Sequence, residues 1–215
     1  MKKIWFDPVP LHLLSWFGME KLSKVKVLVE GYARQREGFF EASSSTVLIE
    51  DSKKKILVDP GCNESLLLSA LTREGLTPSD IDYIFLTHYH IDHWLNVRLF
   101  LNKDVVDGET IYRGDKEISF SKFLPGTSIE VVPTPGHAHE QVSLFVKTAE
   151  GVVAIAEDLF WWEDGMQKND LKSLLDNIDP FVKNKEQLFE SRKLVLKKAD
   201  FVIPGHGKMF RVPKE

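Results

Sequence analysis

The chain has 215 residues, with 28 Lys+Arg against 32 Asp+Glu for a formal charge of −4, and a single cysteine, Cys62. The length fits one domain over residues 1–215 with ample material for a core, and the acidic balance argues against bulk electrostatic capture of nucleic acid or anionic membrane. One cysteine excludes an internal disulfide and thiol-rich zinc sites, so any metal has to be held by histidine and carboxylate.

Residues 1–14 open with two lysines and Ile4-Trp5-Phe6, but Asp7, Pro8, Pro10 and His12 interrupt the apolar core that a signal peptide needs. No run approaches the roughly 18 apolar residues of a membrane span, so the expected location is cytoplasmic, with no membrane partner. Runs rich in Val, Ile and Leu at 24–30, 46–49 and 55–58 predict strands. The stretch 31–42 reads as a connection that offers Tyr32, Arg34, Arg36, Phe39 and Phe40 to an anionic and an apolar group. Asn63 is a natural N-cap for a helix carrying Leu67 and Leu71, with Gly75 at C′. Thr77-Pro78-Ser79-Asp80 reads as a second helix start, with Pro78 at the first position. Strands recur at 83–87, 129–133, 142–146, 152–156 and 201–203. The stretch 160–184, long and carrying Trp161 and Trp162, reads as a lid or pocket wall. A helix over 185–198 places Leu188, Phe189, Arg192, Val195 and Leu196 on one face. Many strands with a few interspersed helices predict an α+β, or α/β layered, domain.

Six of the seven histidines fall into three short groups, and only His12 stands apart. In Thr87-His88-Tyr89-His90-Ile91-Asp92-His93, residues two apart on an extended segment point the same way, so His88 and His90 can grip one ion while Asp92 and His93 turn toward a second. His137 and His206 each follow a strand inside a Pro-Gly turn, where the backbone can approach an ion closely. Asp158 follows the 152–156 run, and register prefers it over Glu157. Neutral imidazole with carboxylate is a donor set for zinc, with iron or manganese as competitors. Tyr89, between two donors, points away into packing; Trp94 is expected in the core, and Cys62 as a buried small residue rather than a nucleophile.

Together these motifs, spread over about 46–210, resemble the signature of the metallo-β-lactamase fold hydrolases. The carboxy-terminal end, Ser191-Arg192-Lys193 to Phe210-Arg211-Val212, resembles a small animal branch of metallo-β-lactamase domain-containing proteins proposed to cut histone precursor RNA. The resemblance implies a four-layer αββα sandwich with the metals at one edge. It also implies that His88, His90 and His137 hold one ion, that Asp92, His93 and His206 hold another, and that Asp158 bridges them. Asp59 resembles the acidic residue that orients metal-binding histidines. Glu157 stands where the family commonly has glycine, and Asn96 where a small residue often follows.

Two divalent ions sharing a hydroxide would make a nucleophile at neutral pH without serine or cysteine. Asp92 is the general-base candidate and His139 a candidate proton donor to the leaving group. The expected activity is hydrolysis of an ester, thioester or lactone bond in a small-molecule substrate. The alternatives are a phosphodiesterase or endoribonuclease with RNA as partner and, more remotely, a mononuclear iron sulfur-oxidising enzyme. A homo-oligomer is left open.

Overall fold

The computed structural model describes residues 22–214; the readings of residues 1–14, with His12 and Lys2-Lys3, lie outside them. In chain order the strands are β1 (Lys24–Val29), β2 (Tyr32–Arg36), β3 (Phe39–Ser43), β4 (Thr46–Asp51), β5 (Lys54–Val58), β6 (Tyr83–Phe85), β7 (Asp104–Val106), β8 (Thr110–Arg113), β9 (Lys116–Ser119), β10 (Glu130–Pro133), β11 (Val142–Thr148), β12 (Gly151–Trp161), β13 (Phe201–His206) and β14 (Phe210–Arg211). The helices are α1 (Glu64–Arg73), the single turn α2 (Ile91–Trp94), α3 (Leu171–Asp176) and α4 (Lys185–Lys198). One sheet runs β1-β4-β5-β6-β7-β8-β9, a second runs β10-β11-β12-β13-β14, and β2 pairs with β3 as a hairpin. The β5–β6, β6–β7 and β12–β13 pairs are parallel.

Strand alternation decides the layers. Val47, Ile49, Ile56 and Val58 of the first sheet share one buried cluster with Leu144, Val146, Val153 and Ile155 of the second. The intervening Leu48 and Leu57 point the other way, onto Leu67, Ala70 and Leu71 of α1. Phe145, Ala154 and Val202 likewise leave the second sheet toward Leu174 of α3 and Leu188, Val195 and Leu196 of α4. Each Val, Leu, Ile or Phe side chain so buried contributes roughly 1.5–3 kcal/mol of transfer free energy. The result is helix, sheet, sheet, helix: the α+β fold expected, in four layers. Among the described residues no helix is long and apolar enough to cross a membrane.

Four local expectations change. The stretch 31–42 is the β2–β3 hairpin, closed by Glu37-Gly38 with Gly38 in the left-handed region at φ 82°. Thr77 to Asp80 form only a 3₁₀ turn, because the reciprocal bonds of Thr77 and Asp80 cap a turn that Ile81 immediately leaves in extended conformation. Strands β7 to β9 lie in a stretch that gave no strand signal, being short and largely exposed at β9. The 152–156 run continues to Trp161, so Asp158 lies within a strand and not in a loop after it.

Candidate metal centre

Between β6 and the turn α2 the chain bends at Thr87 and His88, so the run is not the extended segment expected, and reaches His90, which stands at the N-cap of α2 with ψ 136°. Asp59, after β5, fixes this run from behind: Oδ1 accepts the Thr87 N–H at 2.9 Å, and Oδ2 accepts the Thr87 hydroxyl at 2.6 Å and faces His93 Nδ1 at 2.7 Å. Gly136, at φ 138° with no room for a Cβ against Leu188, lets the 134–137 turn press onto α4 and deliver His137. His206 ends β13, its Nδ1 held 2.9 Å from the Tyr32 carbonyl oxygen of the hairpin. Glu157 takes φ 44° and disturbs the register between β12 and β13. That bulge re-aims the chain so that Asp158 faces the histidines.

All seven expected donors converge. His88, His90, His137 and Asp158 form one group and Asp92, His93 and His206 another, with the donor atoms in each within 4.8 Å of one another. Asp158 faces both: Oδ2 lies 3.3 Å from His137 Nε2 and 3.8 Å from His88 Nε2, while Oδ1 lies 3.2 Å from His93 Nε2 and 3.5 Å from His206 Nε2. Asp92 Oδ2 is 3.3 Å from His206 Nε2. Asp59 also lies near His88 and His93, but its oxygens are already engaged, so it orients donors without joining them.

His88 Nε2, His93 Nε2 and Asp158 Oδ1 are buried and have no hydrogen-bond partner. Three orphaned atoms aimed at one space fit a cation, since unpaired buried polar groups are costly. The electrostatics divide the donors: His88 and Asp158 have the charge a cation needs, whereas His93 and His137 would have to give up a proton to it. Burial, followed by the neighbouring His93, pushes His88 well below the usual histidine value, leaving a neutral imidazole. Burial also acts to lower His93, yet Asp158 and Asp59 outweigh it and raise it well above that value. For His137 burial is likewise overcome, by hydrogen bonds to Asp158 and Asp179, to about 9. Asp158 sits well below the carboxylate range because His93 and His206 overcome its burial. Glu157 is the opposite case: burial, then the Asp59 charge, lifts it well above that range.

His139 is not brought into either group; it is exposed and lines a separate cavity with Tyr89, Asp107, Tyr112 and Glu140. Tyr89 turns away, its hydroxyl bonded to Asp107. Trp94 departs from the expected core position: at 36% exposure it lies over the end of α2, its indole N–H donating to the Tyr89 carbonyl at 3.0 Å. Cys62 is partly buried, its thiol on the Ala42 carbonyl. Asn96 is fully buried and donates to the Pro60 carbonyl at 3.1 Å. Arg34 and Arg36 of the hairpin are paired with Asp164 and Glu41. Sequence reasoning missed Asp179, whose Oδ2 lies 2.7 Å from His137 Nδ1. Its only signal was an Asp-Pro step inside the long 160–184 segment.

A family profile described as the metallo-beta-lactamase superfamily matches residues 40–107. Metallo-beta-lactamase domain-containing protein 1 of Xenopus laevis is 37% identical over 203 residues, covering 88% of this chain and 82% of the relative. Among solved structures, a quorum-quenching N-acyl homoserine lactone lactonase matches with TM-score 0.60 at 22% identity, over 87% of this chain and 91% of that one. A dizinc quorum-quenching lactonase with a bound product matches with TM-score 0.59 at 16% identity, over 82% and 81%. With the fold, the convergent donors and this similarity together, the chain belongs to the metallo-β-lactamase superfamily of metal-dependent hydrolases.

Proposed function

We propose that the chain is a dinuclear hydrolase, with zinc as its preferred metal, that cleaves an ester, thioester or lactone bond in a small molecule in the cytoplasm. The observation that carries this reading is the division of Asp158, one oxygen toward each donor group. In it His88, His90 and His137 hold one ion, Asp92, His93 and His206 the other, and Asp158 both. Bound divalent ions would supply an activated water near neutral pH and a Lewis acid for the scissile carbonyl.

The chain's own residues do the rest. Asp59, Asp179 and the Tyr32 carbonyl hold the rear nitrogens of His93, His137 and His206, so that the Nε2 atoms converge. Asp92 is less buried than Asp158, its side chain 24% exposed. Its burial is outweighed by the hydrogen bond to His206 and the charge of His93, which keep it ionised and able to accept a proton from the attacking water. Trp161 and Phe181, with rings 5.7 Å apart, form an apolar wall beside His206 and His90 that suits an acyl or alkyl portion of substrate. The two lactonases named above support the ester and lactone class at the level of the fold.

The test is metal analysis of protein purified without added metal, followed by thioester, lactone, phosphodiester and RNA substrates. About two zinc ions per chain with ester or lactone turnover is expected; one iron with oxygen uptake would sink the reading, and cleavage of RNA alone would sink its substrate class. Asp92→Asn and Asp158→Asn are each expected to lower turnover by about 100-fold or more, and a fully active Asp158→Asn enzyme would remove the bridging assignment.

A further inference from the structure

His137 lies far in sequence from the other donors of its group, and its ring is set by a residue that no motif contains. Asp179 is fully buried at its side chain and places Oδ2 2.7 Å from His137 Nδ1, while His137 Nε2 looks the other way, 3.3 Å from Asp158 Oδ2. The second oxygen of Asp179 accepts two hydrogen bonds, from the Phe181 N–H at 2.8 Å and from the Trp161 indole N–H at 3.3 Å. A carboxylate can only accept, so the hydrogen shared with His137 sits on Nδ1, and Nε2, which lies 2.9 Å from His90 Nδ1 and beside Asp158, is the nitrogen that can give its lone pair to a cation once its own proton is lost.

The carboxylate cannot swing away, because the segment that carries it is pinned from behind. Arg192 of α4, buried, donates from Nε to the Leu159 carbonyl at 2.8 Å and from Nη1 to the carbonyls of Asn177 at 2.7 Å and Leu175 at 3.2 Å. Asn177 in turn donates to the Trp161 carbonyl at 2.8 Å. One buried guanidinium thus joins β12, the end of α3 and the turn before Asp179.

We propose that Asp179 is a positioning residue that selects the His137 tautomer able to bind metal through Nε2, and that Arg192 holds it in register. The inference rests on the dinuclear reading above. It separates cleanly from a packing role through two substitutions. In Asp179→Asn the two N–H donors of Phe181 and Trp161 keep the amide oxygen on their side, so the NH2 faces His137 Nδ1. That bond forms only if Nδ1 accepts, which puts the hydrogen on Nε2 and removes the ligand. Asp179→Ala leaves Nδ1 without a partner, and the ring is free to offer Nε2. Packing ranks the same variants the other way, since Asn keeps the bonds to Phe181 and Trp161 and Ala loses them.

The experiment measures zinc affinity by competition with a chromophoric chelator, and thermal unfolding of the metal-free proteins. Expected is a fall in zinc affinity of about 10–100-fold for Asp179→Asn and a smaller fall for Asp179→Ala, with the opposite order in unfolding temperature. Wild-type affinity in Asp179→Asn, or a larger affinity loss in Asp179→Ala, overturns the proposal alone. No zinc binding by the wild type overturns it together with the dinuclear reading. A further measurement needs no variant: nitrogen-15 histidine spectra of the zinc-loaded wild type should place the His137 hydrogen on Nδ1, and a hydrogen on Nε2 would refute the assignment.

Discussion

Glu157 holds a left-handed backbone conformation at φ 44° and a fully buried carboxyl whose two oxygens have no hydrogen-bond partner. A non-glycine residue there costs roughly 1–3 kcal/mol, which accounts for glycine being the family's usual choice. The cost is confined to the residue that aims Asp158. Because burial raises its carboxyl well above the ordinary value, Glu157 contributes stability below the unfolded value that is lost as pH rises through the folded one. Glu157→Gln cannot titrate. The metal-free variant is therefore expected to lose unfolding temperature less steeply than wild type between about pH 5 and pH 8, as calorimetry can show. The histidines allow a second expectation at this scale. His93 and His137 are both raised, His137 to about 9, so each holds a proton at neutral pH that a cation must displace. Zinc uptake at pH 7 should release protons, and affinity should rise with pH until His137 has titrated; titration in buffers of differing ionisation enthalpy measures the release. Uptake at pH 7 without proton release would contradict that charge arrangement.

At the scale of elements, β12 and β13 approach so closely that position 205 has no alternative to glycine. A Cβ there would lie 1.8 Å from Asp158 Oδ1. Gly205→Ala is accordingly expected to displace Asp158 and weaken metal binding while the sheets still fold, which metal content and circular dichroism together would show. Strands β4, β5, β11 and β12 announce themselves by continuous apolar runs, buried on both faces, α1 by its cap at Asn63, which accepts a backbone N–H, and α4 by the spacing of its apolar face. The donors were legible because ligand spacing is a local property of a strand and a turn. Asp179 was not, since its partner His137 is 42 residues away and nothing local marks the pairing. Nor were β7 and β9, whose short segments draw their order from neighbours and not from their own apolar pattern. Trp94 shows the limit of composition: its size predicts burial, but a one-turn helix at the rim leaves over a third of it in solvent.

Across the whole molecule the donors come from both halves. His88, His90, Asp92 and His93 follow strand β6 of the seven-stranded sheet, whereas His137, Asp158 and His206 belong to β10, β12 and β13 of the five-stranded one and the turns after them. Bound ions would therefore tie the two sheets together. Ligand binding to the folded state adds about 2.7 kcal/mol at a free concentration 100 times the dissociation constant, so chelation is expected to lower the unfolding temperature by several degrees, and a metal-loaded protein that melts like the chelated one would contradict the tie. Backbone contacts already cross the same seam. The Ser45 amide donates to the Gly205 carbonyl at 2.7 Å and the Val142 amide to the Thr87 carbonyl at 3.1 Å. Both amides can exchange with solvent only when the halves part, so their hydrogen–deuterium exchange reports how often the seam opens. Slower exchange at these two positions on metal loading, with β8 and β9 unaffected, would turn two ordinary main-chain bonds into a gauge of occupancy that needs no substrate.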